Sequence, residues 1–248
     1  MKLIKNYRSS NFNKRKKGRL LYIIIHYTAL KNYEEALLYL CDKRKKVSSH
    51  FLINQNGNIY NLVNLNKRAW HAGISYWEGN KDINSMSIGI ELDFSSNKEN
   101  NNFSKKMIKS LIFILRKLKK KYNIKNQNIL AHSDIAPLRK KDPGIKFPWK
   151  KLNDNNLAYY PNEKIRYSVK LIIKWFKKNK LITRKKMSLF MLGVIGYNTI
   201  DINNNYSFKK LITAYQMHYL QSNMSGKIDE KTIKFMIKHF INILLTKN

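Results

Sequence analysis

The sequence predicts an α/β domain, a mixed central β-sheet flanked by helices, followed by a small all-α C-terminal module. Three observations carry this. Apolar, β-branched runs at residues 20–26, 87–92 and 128–132 have the length and composition of buried strands. Helical patterns separate them, so strands and helices alternate. After Trp149 the strand signals stop and mainly helical periodicity remains.

The first strand, ending near His26, comes from Leu21-Tyr22-Ile23-Ile24-Ile25. Asn32 is placed to cap a helix running to about Arg44. His50 to Asn54 and Asn58 to Val63 flank Gln55-Asn56-Gly57, and the Asn-Gly step marks a hairpin turn. Ser87 to Leu92 reads as a strand in which Gly89 lets something approach the backbone closely. From Ser104 to Tyr122, Met107, Ile108, Leu111, Ile112, Leu115 and Leu118 recur at helical spacing with lysines opposite, an amphipathic surface helix. Asn128 to His132 gives a strand that ends at the second histidine of interest. Beyond Trp149, Pro161 is expected to open a helix to about Lys178. Helical patterns around 187–195, 207–219 and 230–245 follow, with too modest a core to stand without the larger domain.

Length and composition bound the function classes. The chain has 248 residues, 43% hydrophobic, enough for a packed core. Its formal charge is +34. Such a value ordinarily suggests a polyanionic partner, yet the lysines are spread along nearly every segment beside abundant asparagine and isoleucine. That pattern reads as a solvated basic surface, and no specific nucleic-acid partner is expected. A single cysteine, Cys41, excludes an intrachain disulfide and a thiolate-rich metal site. No apolar run approaches the roughly 20 residues of a membrane span. The amino terminus has no apolar signal-type stretch and no lipobox, so a cytoplasmic location is expected from the residues alone. The chain is expected to be a monomer.

Chemistry concentrates in Ala131-His132-Ser133-Asp134-Ile135-Ala136-Pro137-Leu138-Arg139-Lys140-Lys141-Asp142-Pro143-Gly144. His132 and Asp142, with His26 at the end of the first strand, supply two imidazoles and a carboxylate. A three-ligand zinc site of that kind keeps one position open for water, as a catalytic metal does. Each residue alone also has an ordinary reading: a hydrogen-bonded histidine, or an aspartate in a turn. Glu91 ends an apolar strand, where a carboxylate is costly to bury. It is therefore either salt-bridged to one of the many lysines or a general base. Lys140, two residues before Asp142, is close enough to stabilise an oxyanion, or is simply solvated. Trp70-His71-Ala72-Gly73 suits a saccharide or peptide groove, and a packed loop equally. His50 is expected to hydrogen-bond within its hairpin, and His218 and His239 to be structural.

These segments together resemble the zinc-dependent N-acetylmuramoyl-L-alanine amidases of the phage-lysozyme and peptidoglycan-recognition-protein superfamily, AmiD type. The matching pieces are Ile25-His26-Tyr27-Thr28-Ala29, Ser48-Ser49-His50-Phe51-Leu52-Ile53, Ala69-Trp70-His71-Ala72-Gly73-Ile74-Ser75, Ser87-Ile88-Gly89-Ile90-Glu91-Leu92, and His132 to Pro137 with Asp142-Pro143-Gly144. They stand in family order. The resemblance implies Zn2+ held by His26, His132 and Asp142, Glu91 as acid/base and Lys140 at the oxyanion. Trp70 and His71 are expected toward substrate on the groove reading above. It implies hydrolysis of the amide between the lactyl group of N-acetylmuramic acid and L-alanine in peptidoglycan or muropeptides. Residues 1–165 would form the zinc amidase domain, 166–185 a helical linker, and 186–248 a three-helix module resembling a peptidoglycan-binding one. In that module an aspartate–glycine turn usual in the type is lost. Family resemblance places the enzyme in the cell envelope. A catalytically idle wall-binding protein and a nonspecific nucleic-acid binder are the rival readings.

Overall fold

Tyr22 to Tyr27 forms the strand on which the fold is organised, and its near-continuous apolar content reflects burial on both faces. The structure, a computed structural model, describes residues 3–16, 18–95, 102–161 and 168–247. In chain order these contain β1 (Leu3–Ile4), β2 (Phe12–Lys14), β3 (Tyr22–Tyr27), α1 (Tyr33–Cys41), β4 (Phe51–Ile53), β5 (Ile59–Asn61), β6 (Lys67–Ala69), α2 (Ile83–Met86), β7 (Ser87–Leu92), α3 (Lys105–Tyr122), β8 (Ile129–Ala131), α4 (His132–Ile135), α5 (Trp149–Asp154), α6 (Val169–Lys178), α7 (Arg184–Ile195), α8 (Asn205–Tyr219) and α9 (Glu230–Lys247).

Six strands make a mixed sheet in the order β1-β5-β4-β7-β3-β8, and β2 pairs with β6 separately. The centre is parallel: β3 runs with β7 and β8, and β4 runs with β7. The predicted hairpin is the antiparallel β4–β5 pair, turned at Gly57 with φ +81. A Cβ there would stand 2.8 Å from the Lys106 carbonyl oxygen, so only glycine lets α3 approach.

Strand alternation sorts the core into two faces. Ile23, Ile25, Ile88, Ile90, Leu92, Ile129 and Ala131 pack under the apolar stripe of α3. Tyr22, Ile24 and Leu130 face the other way, into a core shared with Phe176, Met191, Leu211, Tyr215 and Met236 of the C-terminal helices. Helix ends follow local rules. Asn32 accepts from the Glu35 amide at α1, and Ser104 accepts from Met107 at α3. Lys119, Lys120 and Lys121 sit at the negative end of α3.

Three sequence expectations need correction. His132 does not end a strand: β8 stops at Ala131 and His132 opens α4. The cause is the Asp134 carboxylate, which accepts from the Ala131 amide at 2.8 Å and turns the chain. His50 does not bond within its hairpin through its ring. Its Nδ1 accepts from the Gly89 amide at 3.0 Å and its Nε2 lies 3.1 Å from the Lys67 carbonyl, linking β7 to β6. The helix expected to open at Pro161 does not: Pro161 is not helical, and α6 opens at Val169, where the Ser168 side chain accepts from the Leu171 amide. The expected boundary at 165/166 lies outside the described residues. Helix α6, in the segment read as a linker, buries Phe176 completely against Phe190 and Phe240.

Candidate metal centre and active site

Parity and register together build the site. His26 and Glu91 are register partners on adjacent parallel strands, which lie about 4.8 Å apart. His26 is even-numbered on β3, like Tyr22 and Ile24. Glu91 is odd-numbered on β7, opposite in sense to Ile88, Ile90 and Leu92. Both therefore leave the sheet on the face away from α3. They stand at the carboxyl ends of their strands, joined by His132 just after β8, where open parallel sheets bind their ligands.

His26, His132 and Asp142 converge. His26 Nδ1 lies 2.9 Å from His132 Nδ1, and Asp142 Oδ2 lies 3.1 Å from the first and 3.0 Å from the second. All three residues are buried. The outer nitrogens fix the tautomers. His132 Nε2 lies 3.1 Å from the Ala72 carbonyl oxygen and must donate to it. The Ser87 hydroxyl donates to the Ile83 carbonyl at 2.6 Å, so it accepts from His71 Nε2 at 3.2 Å. His71 Nδ1 then accepts from His26 Nε2 at 3.0 Å. Both inner Nδ1 atoms consequently carry lone pairs aimed at each other and at a carboxylate oxygen. Three electron pairs meeting in a buried site call for a cation. Tetrahedral zinc with bonds of about 2.1 Å would separate its ligands by about 3.4 Å, close to what is seen. Two nitrogens and one oxygen with the fourth side open fit a catalytic metal.

The electrostatics agree with ligation. Burial, reinforced by His132, lowers His26 to about 4, leaving it neutral at ordinary pH. In the metal-free protein burial works against the Asp142 carboxylate, yet a proton held on His132 or His26, in the place a cation would take, outweighs it and keeps the group well below the usual carboxylate range. Glu91 behaves oppositely. Burial, helped by Asp142 and opposed by Lys140, pushes it up to about 8. Its Oε2 is buried without a hydrogen-bond partner. A carboxyl raised above its unfolded value makes the fold lose stability as pH rises from about 4.5 through 8. In the metal-free protein, Glu91→Gln should flatten that part of the stability profile, as read by urea unfolding at each pH.

A cleft of about 570 Å³ is lined by His26, His71, Glu91, His132, Lys140 and Asp142, among others. The structure thus brings together every predicted site residue except Trp70. That indole donates to Asn13 on β2 and is not part of the cleft lining. His71 lines the cleft with both ring nitrogens committed to His26 and Ser87, so it supports a ligand rather than being one. Gly89 makes room for it: a Cβ there would stand 2.4 Å from His71 Cγ. Gly89→Ala should therefore cost about 1–3 kcal/mol, measured as a lower urea midpoint at unchanged slope, and weaken metal binding with it. Asp134 and Arg139 had no role in the sequence reading. Arg139 donates to the Ala72 and Ile74 carbonyls at 2.7 and 2.8 Å, and it borders both this cleft and a neighbouring hollow of about 780 Å³.

Known proteins resemble this chain in sequence and fold. A family model described as N-acetylmuramoyl-L-alanine amidase matches residues 16–145. The chain is 32% identical over 227 residues to N-acetylmuramoyl-L-alanine amidase AmiD of Escherichia coli, covering 86% of this chain and 80% of that one. It is 41% identical over 107 residues to 1,6-anhydro-N-acetylmuramyl-L-alanine amidase AmpD of Haemophilus influenzae, covering 43% of this chain and 56% of that protein. Its fold matches E. coli AmiD in complex with the substrate anhydro-N-acetylmuramic acid-L-Ala-D-gamma-Glu-L-Lys, at TM-score 0.76 and 30% identity, over 90% of this chain and 89% of that one. It also matches AmpDh3 of Pseudomonas aeruginosa in complex with anhydromuramic pentapeptide, at TM-score 0.77 and 27% identity, over 94% of both chains.

Proposed function

Because the chain belongs to the N-acetylmuramoyl-L-alanine amidase family, we propose that it hydrolyses the amide between N-acetylmuramic acid and L-alanine of the peptidoglycan stem peptide, using zinc held by His26, His132 and Asp142. The observation that carries this reading is the meeting of three ligand lone pairs beside an unpaired, raised carboxyl in one cleft. Zinc bound there would supply a Lewis acid for the carbonyl and lower the pKa of water.

The chain's own groups do the rest. Glu91 takes the proton of the attacking water and returns it to the departing L-alanine nitrogen. Its unpaired Oε2 is the atom available for that transfer. Lys140 lines the same cleft and brings an ammonium to the oxygen on which charge accumulates when the carbonyl becomes tetrahedral. The low-dielectric walls, built by Leu40, Val47 and Ala36, strengthen both effects. The hollow that shares Arg139 with the cleft gives room for parts of a muropeptide on either side of the scissile bond.

Lys140→Met should lower kcat by about 10²–10³-fold with zinc content unchanged, since it removes one oxyanion donor and no ligand. Metal analysis alongside steady-state kinetics checks this. A variant with full kcat would remove Lys140 from the mechanism. The function itself is tested by incubating the zinc-loaded chain with a defined muropeptide, with release of the intact stem peptide as the expected outcome. No helix among the described residues is long and apolar enough to cross a membrane.

A further inference from the structure

The segment that carries His132, Lys140 and Asp142 is fastened along its length by side chains from the C-terminal helical region. Tyr197 donates to Asp134 Oδ1 at 2.6 Å, and His218 Nδ1 donates to Asp134 Oδ2 at 2.6 Å. Lys210 donates to the Leu138 carbonyl at 2.8 Å, and Gln221 to the Ile145 and Phe147 carbonyls. The carboxylate at the centre is fully buried, and His218 nearly so. Asp134 also accepts the Ala131 amide, which fixes where α4 starts and hence where His132 stands. Ser133 donates its amide to the Asp142 carbonyl at 3.0 Å, so the second ligand moves with the first.

We propose that Asp134, clamped by His218 and Tyr197, is a positioning residue for the metal centre, and that the C-terminal helical region is thereby a working half of the active site. This rests on the metal-site reading above. The strongest support is a polar group kept at a cost. His218 Nε2 is buried with no hydrogen-bond partner, and the ring is stacked between Trp149 at 3.6 Å and Tyr219 at 3.9 Å. An apolar side chain would fill that slot without leaving a nitrogen unsatisfied. A histidine there is explained by its other nitrogen, the one on Asp134. Tyr197 repeats the pattern, with its ring against Trp77 at 4.9 Å and its hydroxyl on the same carboxylate.

The test uses the full chain with three variants. His218→Leu removes the donor and keeps the volume. His218→Asn restores an N–H near the position of Nδ1. Tyr197→Phe deletes one oxygen. Zinc affinity is read by competition with a chromophoric chelator, and the His132 ring signals are read by nitrogen-edited NMR in the metal-free protein. Expected for His218→Leu is a zinc affinity weakened about 10–100-fold, the range for losing a group that orients a ligand, with a shifted His132 signal. His218→Asn should recover most of both. Tyr197→Phe should lie between, and it decides the matter if His218→Leu does not fold. A folded His218→Leu or Tyr197→Phe with wild-type affinity and an unmoved His132 signal would overturn the proposal. So would a folded His218→Asn as impaired as His218→Leu, because packing rather than the hydrogen bond would then be responsible. A wild-type chain that binds no zinc would instead overturn the metal-site reading, and the metal-free His132 signals would still judge the role of Asp134.

Discussion

Replacing Glu91 with glutamine should lower kcat for muropeptide hydrolysis by about 10²–10⁴-fold while leaving bound zinc and KM nearly unchanged. That is the range for removing a positioned general base and acid. Glutamine preserves the shape of the side chain and removes its proton-accepting carboxylate. The loss falls on the chemical step because Glu91 is not one of the three converging ligand atoms. Steady-state kinetics with metal analysis separates the outcomes. A parallel loss of zinc would make Glu91 part of the ligand cage. An unchanged kcat would assign proton transfer elsewhere.

The second large effect is expected from the ligands. His26→Ala removes one of three donors and also strands His71, whose Nδ1 accepts from His26. Zinc should be lost on dialysis, and activity should fall to the level of the chelated wild type. Adding zinc back should restore the wild type and not the variant. Asp142→Ala should behave alike, since it removes the anionic member of the three converging ligands. Retained activity in either variant, with no zinc detected, would contradict a metal-dependent mechanism.

Much of this site is legible in the sequence, for reasons that differ from residue to residue. His26 and Glu91 end apolar runs, and a buried strand tolerates an ionisable side chain only where it has a partner or a task. Gly89 could be read as a point of close approach, and the approaching group proves to be the His71 ring. Helix α3 followed from its periodicity. What escaped the sequence is what depends on distant pairing. The two- and three-residue strands β1, β2 and β6 have too few positions to display a period. His71 sits beside a tryptophan, which suggests a sugar surface, yet its nitrogens go to residues 45 and 16 positions away. Asp134 lies inside the most informative segment of the chain. Its partner His218 is 84 positions distant on what local periodicity describes only as a helix. Local pattern locates elements and chemically costly residues, whereas the hydrogen bonds that orient them are set by the tertiary fold.

The central claim is cleavage of one particular amide with zinc in the His26, His132 and Asp142 site. It is tested most directly by mass spectrometry of the products formed from a defined muropeptide, bearing either a 1,6-anhydro or a reducing sugar end, with zinc-loaded and metal-stripped protein. Expected is the free sugar with its lactyl carboxylate plus the intact stem peptide beginning with L-alanine, from the zinc-loaded protein alone. Cleavage at any other bond, or equal release by the metal-stripped chain, would contradict it.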